Sequence, residues 1–458
     1  MDASTLENKI AAYESEGIQR VKIAITDVDG ILRGKYISLD KFRSIALSHA
    51  GFCDCVFGWD VVDNLYDNSK FTGWHTAYPD AQFVLDLSSE RRIPEENIPF
   101  FIADFLPRER EKYHPVCPRN VLKRVLDRAE NLGFKVQLAF EYEFFLFAET
   151  SHSIRQKNYR QLEPLTPGMF GYSILRNSTE SELFNGLMDY CLQMEMPLEG
   201  LHCETGPGVW EAAIKYETGM RSVDNASLFK TFCKVFFQKQ GITPTFMARW
   251  SLDYPGQSGH LHQSLCDAQS EQNLFFDENA PYHMSELMKS YVAGQIKYLK
   301  PLLSLAAPTI NSYTRLVKGF WAPTASTWGV ENRTTALRVI PGSEKSQRVE
   351  FRVGAADSNP YLTAAAMIGA GLLGIEQKLK LEDPVQGNAY AVQDSLPKEK
   401  QLPSSLDRSV DNLEACEDAK DLLGDEFVEH FIASRRWEVR EAQKAITDWQ
   451  LQRYFEII

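Results

Sequence analysis

From Ala139 to Phe147 the chain reads AFEYEFFLF, and the apolar and charged positions alternate. In an extended strand successive side chains face opposite ways, so Phe140, Tyr142, Phe144 and Leu146 share one face and Glu141 and Glu143 the other. The same period of two recurs in GQSGHLHQSL (256–265), with His260, His262 and Ser264 opposite Leu261, Gln263 and Leu265. It recurs again in SQRVEFRVG (346–354), with Arg348, Glu350 and Arg352 opposite Val349, Phe351 and Val353. Three strands are predicted, each with an apolar face and a face of reactive side chains.

Elsewhere the pattern predicts a helix over 4–17 and a hairpin in RVKIAITDVDGILRGKYISL, two β-rich runs joined by an Asp-Gly turn. A helix over 40–49 and short strands such as AQFVLDL (81–87) follow. The segment PREREKYHPVCP (107–118) is charged and bracketed by prolines. It divides an α+β N-terminal domain, residues 1–112, from a second domain, residues 113–458. An amphipathic helix over 119–133 ends at Gly133, and Thr179-x-x-Glu182 predicts a capping box opening a helix that runs to about Met196. The run YLTAAAMIGAGLLGI (361–375) is shorter than the roughly 20 residues of a membrane span. Its Gly and Ala content predicts a buried helix packed closely on its neighbours. The terminal RRWEVREAQKAITDWQLQRYFEII reads as helical, and there is no internal repeat.

The 458 residues are 44% apolar and 24% charged, the balance of a soluble globular enzyme. A formal charge of −13 makes nucleic acid and membrane surfaces poor partners, so an anionic substrate needs a locally basic pocket. The opening MDASTLENKI has no basic segment followed by an apolar one, and a cytoplasmic protein is expected. Eight cysteines show no framework spacing, and the Cys53/Cys55 pair has no second pair to make a zinc site.

Adjacent same-face positions lie roughly 6.5 Å apart along a strand, so Glu141 and Glu143 raise each other's pKa unless a cation stands between them. The alternative is a solvated face with a salt bridge. In HCETGPGVWEAAI (202–214), a Gly-Pro-Gly turn can bring Glu204 and Glu211 to one point, although that spacing alone means little. The paired histidines behind a glycine-rich turn suggest a ligand surface rather than core packing. Arg348-x-Glu350-x-Arg352 is either a charge ladder or a carboxylate for a cation beside guanidiniums for anionic oxygens. Together, five glutamates and a histidine form a hard ligand set suited to Mg²⁺ or Mn²⁺. Arg315, Arg333, Arg338, Arg348 and Arg352 are an unusual concentration of cations in an acidic chain, and suit phosphoryl transfer.

EYEFFLF, HCETGPGVWE, GHLHQSL, NSYTRL, ENRTTALRV, RVEFR, NPYLTAAAMIGAGLLGI and RYFEII, in this order, resemble the glutamine synthetase superfamily over nearly the whole chain. The resemblance implies a β-grasp N-terminal domain and a catalytic domain built on a curved antiparallel sheet, half of a funnel, flanked by helices. It implies that Glu143, Glu204 and Glu211 hold one metal and Glu141, His260 and Glu350 a second. His262, Ser264, Lys345 and Arg348 would bind ATP. Gly256, Arg315 and Arg352 would bind L-glutamate, and Arg333 and Arg338 would stabilise the phosphoryl group. The implied reaction is phosphorylation of the γ-carboxylate followed by attack of an amine, and the implied assembly is a double-ring homododecamer.

The chain departs from that family where ammonium would be handled. Its segment GFWAP carries Trp321 in the place of an acidic residue, and an indole takes no proton but offers a flat face to an organic group. FCDCVFGWDVVD (52–63) replaces the family's ammonium segment, where Asp54 or Asp60 could serve across a subunit boundary and Trp59 could join the amine pocket. Pro255-Gly256 replaces an asparagine-glycine pair. The expected function is a γ-glutamyl amide ligase using a substituted organic amine. A true glutamine synthetase, a non-catalytic relative and a divalent-metal hydrolase are the alternatives. Tyr390 lies near where some relatives are nucleotidylated, but its surroundings differ and no modification is expected.

Overall fold

The computed structural model describes residues 3–107 and 111–458. Residues 108–110, near the start of the expected linker, fall outside them. Strands β1 (Arg20–Thr26) and β2 (Leu32–Ser38) form the expected hairpin, paired from Arg20↔Ser38 to Thr26↔Leu32. With β3 (Ala50–Cys53), β4 (Asp80–Ile93) and β5 (Ile98–Phe105) they make a five-stranded sheet of order β2-β1-β5-β4-β3, in which only β1 and β5 run parallel. Helices α1 (Ala3–Ser15) and α2 (Leu39–Ile45) cover it, the Phe42 ring stacking on Phe101 at 5.0 Å. This is the grasp arrangement the sequence led one to expect.

The second sheet has nine strands. Its main path is β12 (Trp328–Val330), β13 (Leu337–Ile340), β14 (Arg348–Phe351), β11 (Gly259–Asp267), β6 (Phe134–Phe147), β8 (Val209–Ile214) and β7 (Leu198–Cys203). The short strands β9 (Glu217–Thr218) and β10 (Thr243–Thr245) also pair with β6. Every pairing is antiparallel except β12 with β13, and the sheet curls into a half-barrel flanked by helices. The alternation read from sequence holds. Phe140, Tyr142, Phe144, Leu146, Leu261, Leu265, Val349 and Phe351 are buried, so the opposite face of β6, β11 and β14 is the one that carries glutamate, histidine and arginine.

Helix α3 (Pro118–Asn131) backs the sheet with α7 (Met220–Gln238), α8 (Glu286–Ala306) and α10 (Pro360–Glu376). The apolar run 361–375 is the body of α10, capped by Asn359 and pressed against α8. A Cβ on Gly294 would stand 2.2 Å from Ala370 O, so the two backbones meet at a distance only glycine permits. Short helices α4 (Ser151–Gln156), α5 (Ile174–Thr179), α9 (Ser312–Arg315) and α11 (Ala389–Val392) interrupt the loops. The predicted capping box at Thr179 is not formed. Thr179 ends α5 and its hydroxyl donates to Arg176 O, so α6 (Ser181–Gln193) starts without a side-chain cap. A tight turn between two helices spends the residue that a single longer helix would have used as its cap.

Four further helices complete the chain: α12 (Leu406–Glu414), α13 (Glu417–Leu423), α14 (Asp425–Gln443) and α15 (Asp448–Tyr454). Helix α14 returns to the first sheet. Arg435 pairs with Asp29 at 2.7 Å, and Trp437 Nε1 donates to Asp60 at 3.2 Å. The two sheets are also joined through buried Arg119 on α3, which binds both oxygens of Asp224 (2.9 and 2.8 Å), Asp86 (2.6 Å) and Asp104. Among the described residues, no helix is long and apolar enough to cross a membrane.

Candidate functional site

Strand register decides which reactive side chains become neighbours. On β11 and β6, His260 stands opposite Glu141, and on β6 and β8, Glu143 stands opposite Glu211. On β13 and β14, Arg338 stands opposite Glu350. One cavity of about 630 Å³ opens on this face. Its carboxylates are Glu141, Glu143, Glu204, Glu211 and Glu350; its guanidiniums are Arg315, Arg333, Arg338 and Arg352. His260, Gly256 and Trp321 also line it.

A second cavity of about 480 Å³ shares Glu141 with the first and is lined by His262, Ser264, Lys345 and Arg348. The residues that the sequence assigned to the metal and glutamate positions therefore open on one cavity, and those assigned to ATP on its neighbour. Asp54, Asp60 and Trp59 line neither within one chain. Asp54 accepts the Thr72 hydroxyl at 2.7 Å, and Asp60 accepts the amides of Val62 and Asn64 at 2.9 Å beside Trp437. Trp59 bridges to Leu65 with the Arg33 guanidinium 5.0 Å above its ring.

The carboxylates are crowded. Burial raises the Glu211 pKa well above the usual carboxylate range, and Glu143, Glu141, Glu204 and Glu350 raise it further. Burial acts the same way on Glu350, but His260, Arg352 and His262 outweigh it and hold the group at about 2. Glu350 is gripped from both sides, by Arg338 Nη1 at 3.1 Å and by Arg352. Burial, opposed by Glu143 and aided by Arg352, brings Arg315 down to about 10, and its Nη1 and Nη2 donate to the carbonyls of Val353 (2.8 Å) and Arg352 (3.2 Å). Gly256 permits this placement. A Cβ there would meet Ala248 O at 2.6 Å and Arg315 Cγ at 2.6 Å.

Two observations fit divalent cations. His260 Nε2 is buried without a hydrogen-bond partner, and His262 Nε2, also buried, lies 3.2 Å from Glu141 Oε1. Ligand atoms also converge: Glu141, Glu211 and His260 lie within 4.8 Å of one another, as do Glu141, His262 and Glu350, and His202, Glu204 and Glu211. Divalent cations would offset the carboxylates that crowd Glu211, in a cavity where five carboxyl groups stand beside four guanidiniums.

The sequence reading missed His202, Ser258 and Tyr172. His202 Nε2 lies 3.2 Å from Glu204 Oε1 and its ring stacks on Tyr172 at 4.4 Å. Ser258 donates its amide (2.5 Å) and hydroxyl (2.6 Å) to Glu143 Oε2. Applied to His202 and Glu204, the alternation that paired Glu141 with Glu143 would have put both on one face. Nothing local flagged Ser258 or Tyr172. Trp321 has a left-handed backbone (φ 61°), and its ring stands at the mouth, 57% exposed.

Residues 115–454 match the family model described as glutamine synthetase, catalytic domain. The chain is 48% identical over 441 residues to the type-1 glutamine synthetase 2 of Dictyostelium discoideum, covering 96% of this chain and 84% of that protein. It is 35% identical to the glutamate–isopropylamine ligase of a Pseudomonas species, covering 97% of this chain and 96% of that one. It is 34% identical to the gamma-glutamylethanolamide synthetase of Streptomyces coelicolor, covering 98% and 96%. Among solved structures it superposes on apo GmaS with a TM-score of 0.84 and 25% identity, covering 98% of this chain and 99% of that one.

Proposed function

From a chain that belongs to the glutamine synthetase family of ATP-dependent ligases, we propose a γ-glutamyl amide ligase that joins L-glutamate to a substituted organic amine through γ-glutamyl phosphate. One observation carries the amine assignment. Trp321 presents an exposed indole at the mouth of the cavity that holds the carboxylates and arginines. An indole face attracts alkyl groups and organic ammonium ions, and it has no proton acceptor for a small hydrated ammonium.

In this reading the arginines take the anions. Arg315 and Arg352, fixed by backbone carbonyls, receive the glutamate carboxylates beside Gly256, at no cost in side-chain ordering when the substrate arrives. Arg333 and Arg338 face the phosphoryl group in transfer, where guanidinium N–H groups match the equatorial oxygens. Lys345, Arg348, His262 and Ser264 hold the nucleotide in the adjoining cavity. Glu141, Glu143, Glu204, Glu211, Glu350 and His260 are the residues that would hold Mg²⁺ or Mn²⁺. Bound there, such ions neutralise phosphate oxygens and make the γ-phosphorus a better electrophile.

The carboxylate must be phosphorylated because an oxyanion is a poor leaving group; phosphate is a good one, and the amine then displaces it. Asp54 or Asp60 of a neighbouring subunit would complete the amine side in a double-ring homo-oligomer, which the solution mass tests. Ammonium is the rival acceptor, favoured by the 48% identity to a glutamine synthetase. Phosphate release from ATP with Mg²⁺ and glutamate, across ammonium, alkylamines, ethanolamine, arylamines and polyamines, decides between them. Faster turnover with ammonium than with every organic amine would refute the proposal.

A further inference from the structure

Between β10 and β11 the chain passes through Arg249, which is 7% exposed. Among the described residues every hydrogen bond of its side chain goes to a main-chain carbonyl, and none to a carboxylate. Nε donates to Ser251 O at 3.0 Å and Tyr254 O at 3.2 Å, Nη2 to Leu252 O at 2.9 Å and Nη1 to Thr314 O at 2.8 Å. Its backbone is held as well. The amide donates to Asn311 Oδ1 and the carbonyl accepts from Asn311 Nδ2, both at 2.8 Å. Burying a guanidinium without a counter-ion costs free energy, and what it supplies is a planar fork of donors that no other side chain has. Each contact lies beside a residue of the main cavity. The carbonyls of Ser251, Leu252 and Tyr254 shape the loop that runs into Pro255-Gly256, where the chain turns against Arg315. Thr314 precedes Arg315 on α9. On a third side the guanidinium carbon stands 5.0 Å from the Phe320 ring centroid, next to Trp321. Gly256, Arg315, Phe320 and Trp321 line the cavity, and Arg249 stands behind them.

We propose that Arg249 is a positioning residue that fixes the glutamate-binding and amine-selecting sides of the cavity relative to one another, without touching either substrate. The inference rests on the reading of Trp321 as the ring that selects the amine. Through its donor fork Arg249 holds Gly256 and Arg315 in place for a glutamate carboxylate. Through its flat face it seats Phe320, and with it the left-handed backbone of Trp321 (φ 61°). Lysine at this position would keep the charge. One ammonium group, however, cannot span carbonyls of both the 251–254 loop and α9 while lying flat on a ring.

The test compares full-length Arg249→Met and Arg249→Lys with the wild type by initial rates of phosphate release, varying glutamate, ammonium and the fastest organic amine of the panel above. In Arg249→Met the KM for glutamate should rise about 10-fold, and the ratio of kcat/KM for the organic amine to that for ammonium should fall about 10-fold, with ATP affinity by calorimetry within about twofold. Arg249→Lys should stay within about threefold of Arg249→Met, because the fork and not the charge is used. Phe320→Leu, at a residue 38% exposed, should lower the amine ratio while changing the KM for glutamate less than about threefold. In the double variant with Arg249→Met the two losses of selectivity should not add. Full recovery in Arg249→Lys would overturn the inference, and so would additive losses in the double variant. Equal loss of every parameter, ATP affinity included, would overturn it too, as the mark of a loosened fold. Thermal melting reports folding; if Arg249→Met does not fold, an unchanged amine ratio in Phe320→Leu overturns the inference by itself. A wild type that prefers ammonium would refute the amine reading alone, and the glutamate KM of the variants would still decide whether Arg249 positions Gly256 and Arg315.

Discussion

Replacing Trp321 with glutamate tests what selects the acceptor amine. The indole is 57% exposed, and a tryptophan side chain offers about 200–250 Å² in all, so about 130 Å² stands open at the cavity mouth. A small alkylamine covering half of that surface gains about 1.5 kcal/mol at ~25 cal/mol per Å². A protonated amine over the ring adds about 0.5–2 kcal/mol. Removing the indole therefore costs an organic amine about 2–3 kcal/mol, or about 30- to 150-fold in kcat/KM. A half-exposed carboxylate at the same point gives ammonium less than about 1 kcal/mol. The ratio of kcat/KM for the best organic amine to that for ammonium should thus fall about 100-fold in Trp321→Glu, read from initial rates of phosphate release. A ratio within threefold of the wild type would refute the idea that this ring selects the acceptor.

Gly256→Ala puts a Cβ against Ala248 O and the Arg315 stem, and the backbone carbonyl cannot yield. The KM for glutamate should rise 10-fold or more, with ATP binding by calorimetry unchanged. Arg119→Met leaves the carboxylates of Asp224, Asp104 and Asp86 without their shared cation at the junction of the two sheets. Chemical denaturation should show a loss of about 3–5 kcal/mol. Buried His430 on α14 is pushed down to about 4, first by desolvation and then by Arg435. It is neutral in the fold and takes a proton on unfolding at any pH between about 4 and its usual 6.5. Stability is thus complete above 6.5 and lost as pH falls toward 4, by up to about 3 kcal/mol. His430→Gln should flatten the melting temperature across that window; an unchanged acid limb would show that other groups control it.

The alternation of the chain carried much of the site. A period of two in 139–147, 256–265 and 346–354 forces every second side chain to one face, because the opposite residues are too apolar to leave the core. Pleating is a local property, so Glu141 with Glu143, His260 with His262, and Glu350 between two arginines followed from sequence, as did α10 from its glycine and alanine content. Asn359-Pro360 likewise announced the start of that helix. The capping box at Thr179 misled because a turn between α5 and α6 looks locally like the start of one long helix.

Tertiary structure decided the rest, since register between strands distant in sequence is set by the sheet and not by any one segment. That register put His202 rather than a further glutamate beside Glu211, and brought Ser258, 115 residues away, onto Glu143. It also carried Asp54 and Asp60 away from Trp321 within the chain, by pairing their segment with Thr72 and with α14. Which donors share an ion depends on distances of a few ångströms across strands, and a linear pattern specifies faces but not distances. The sequence determined the faces; the packing of the sheet determined the neighbours.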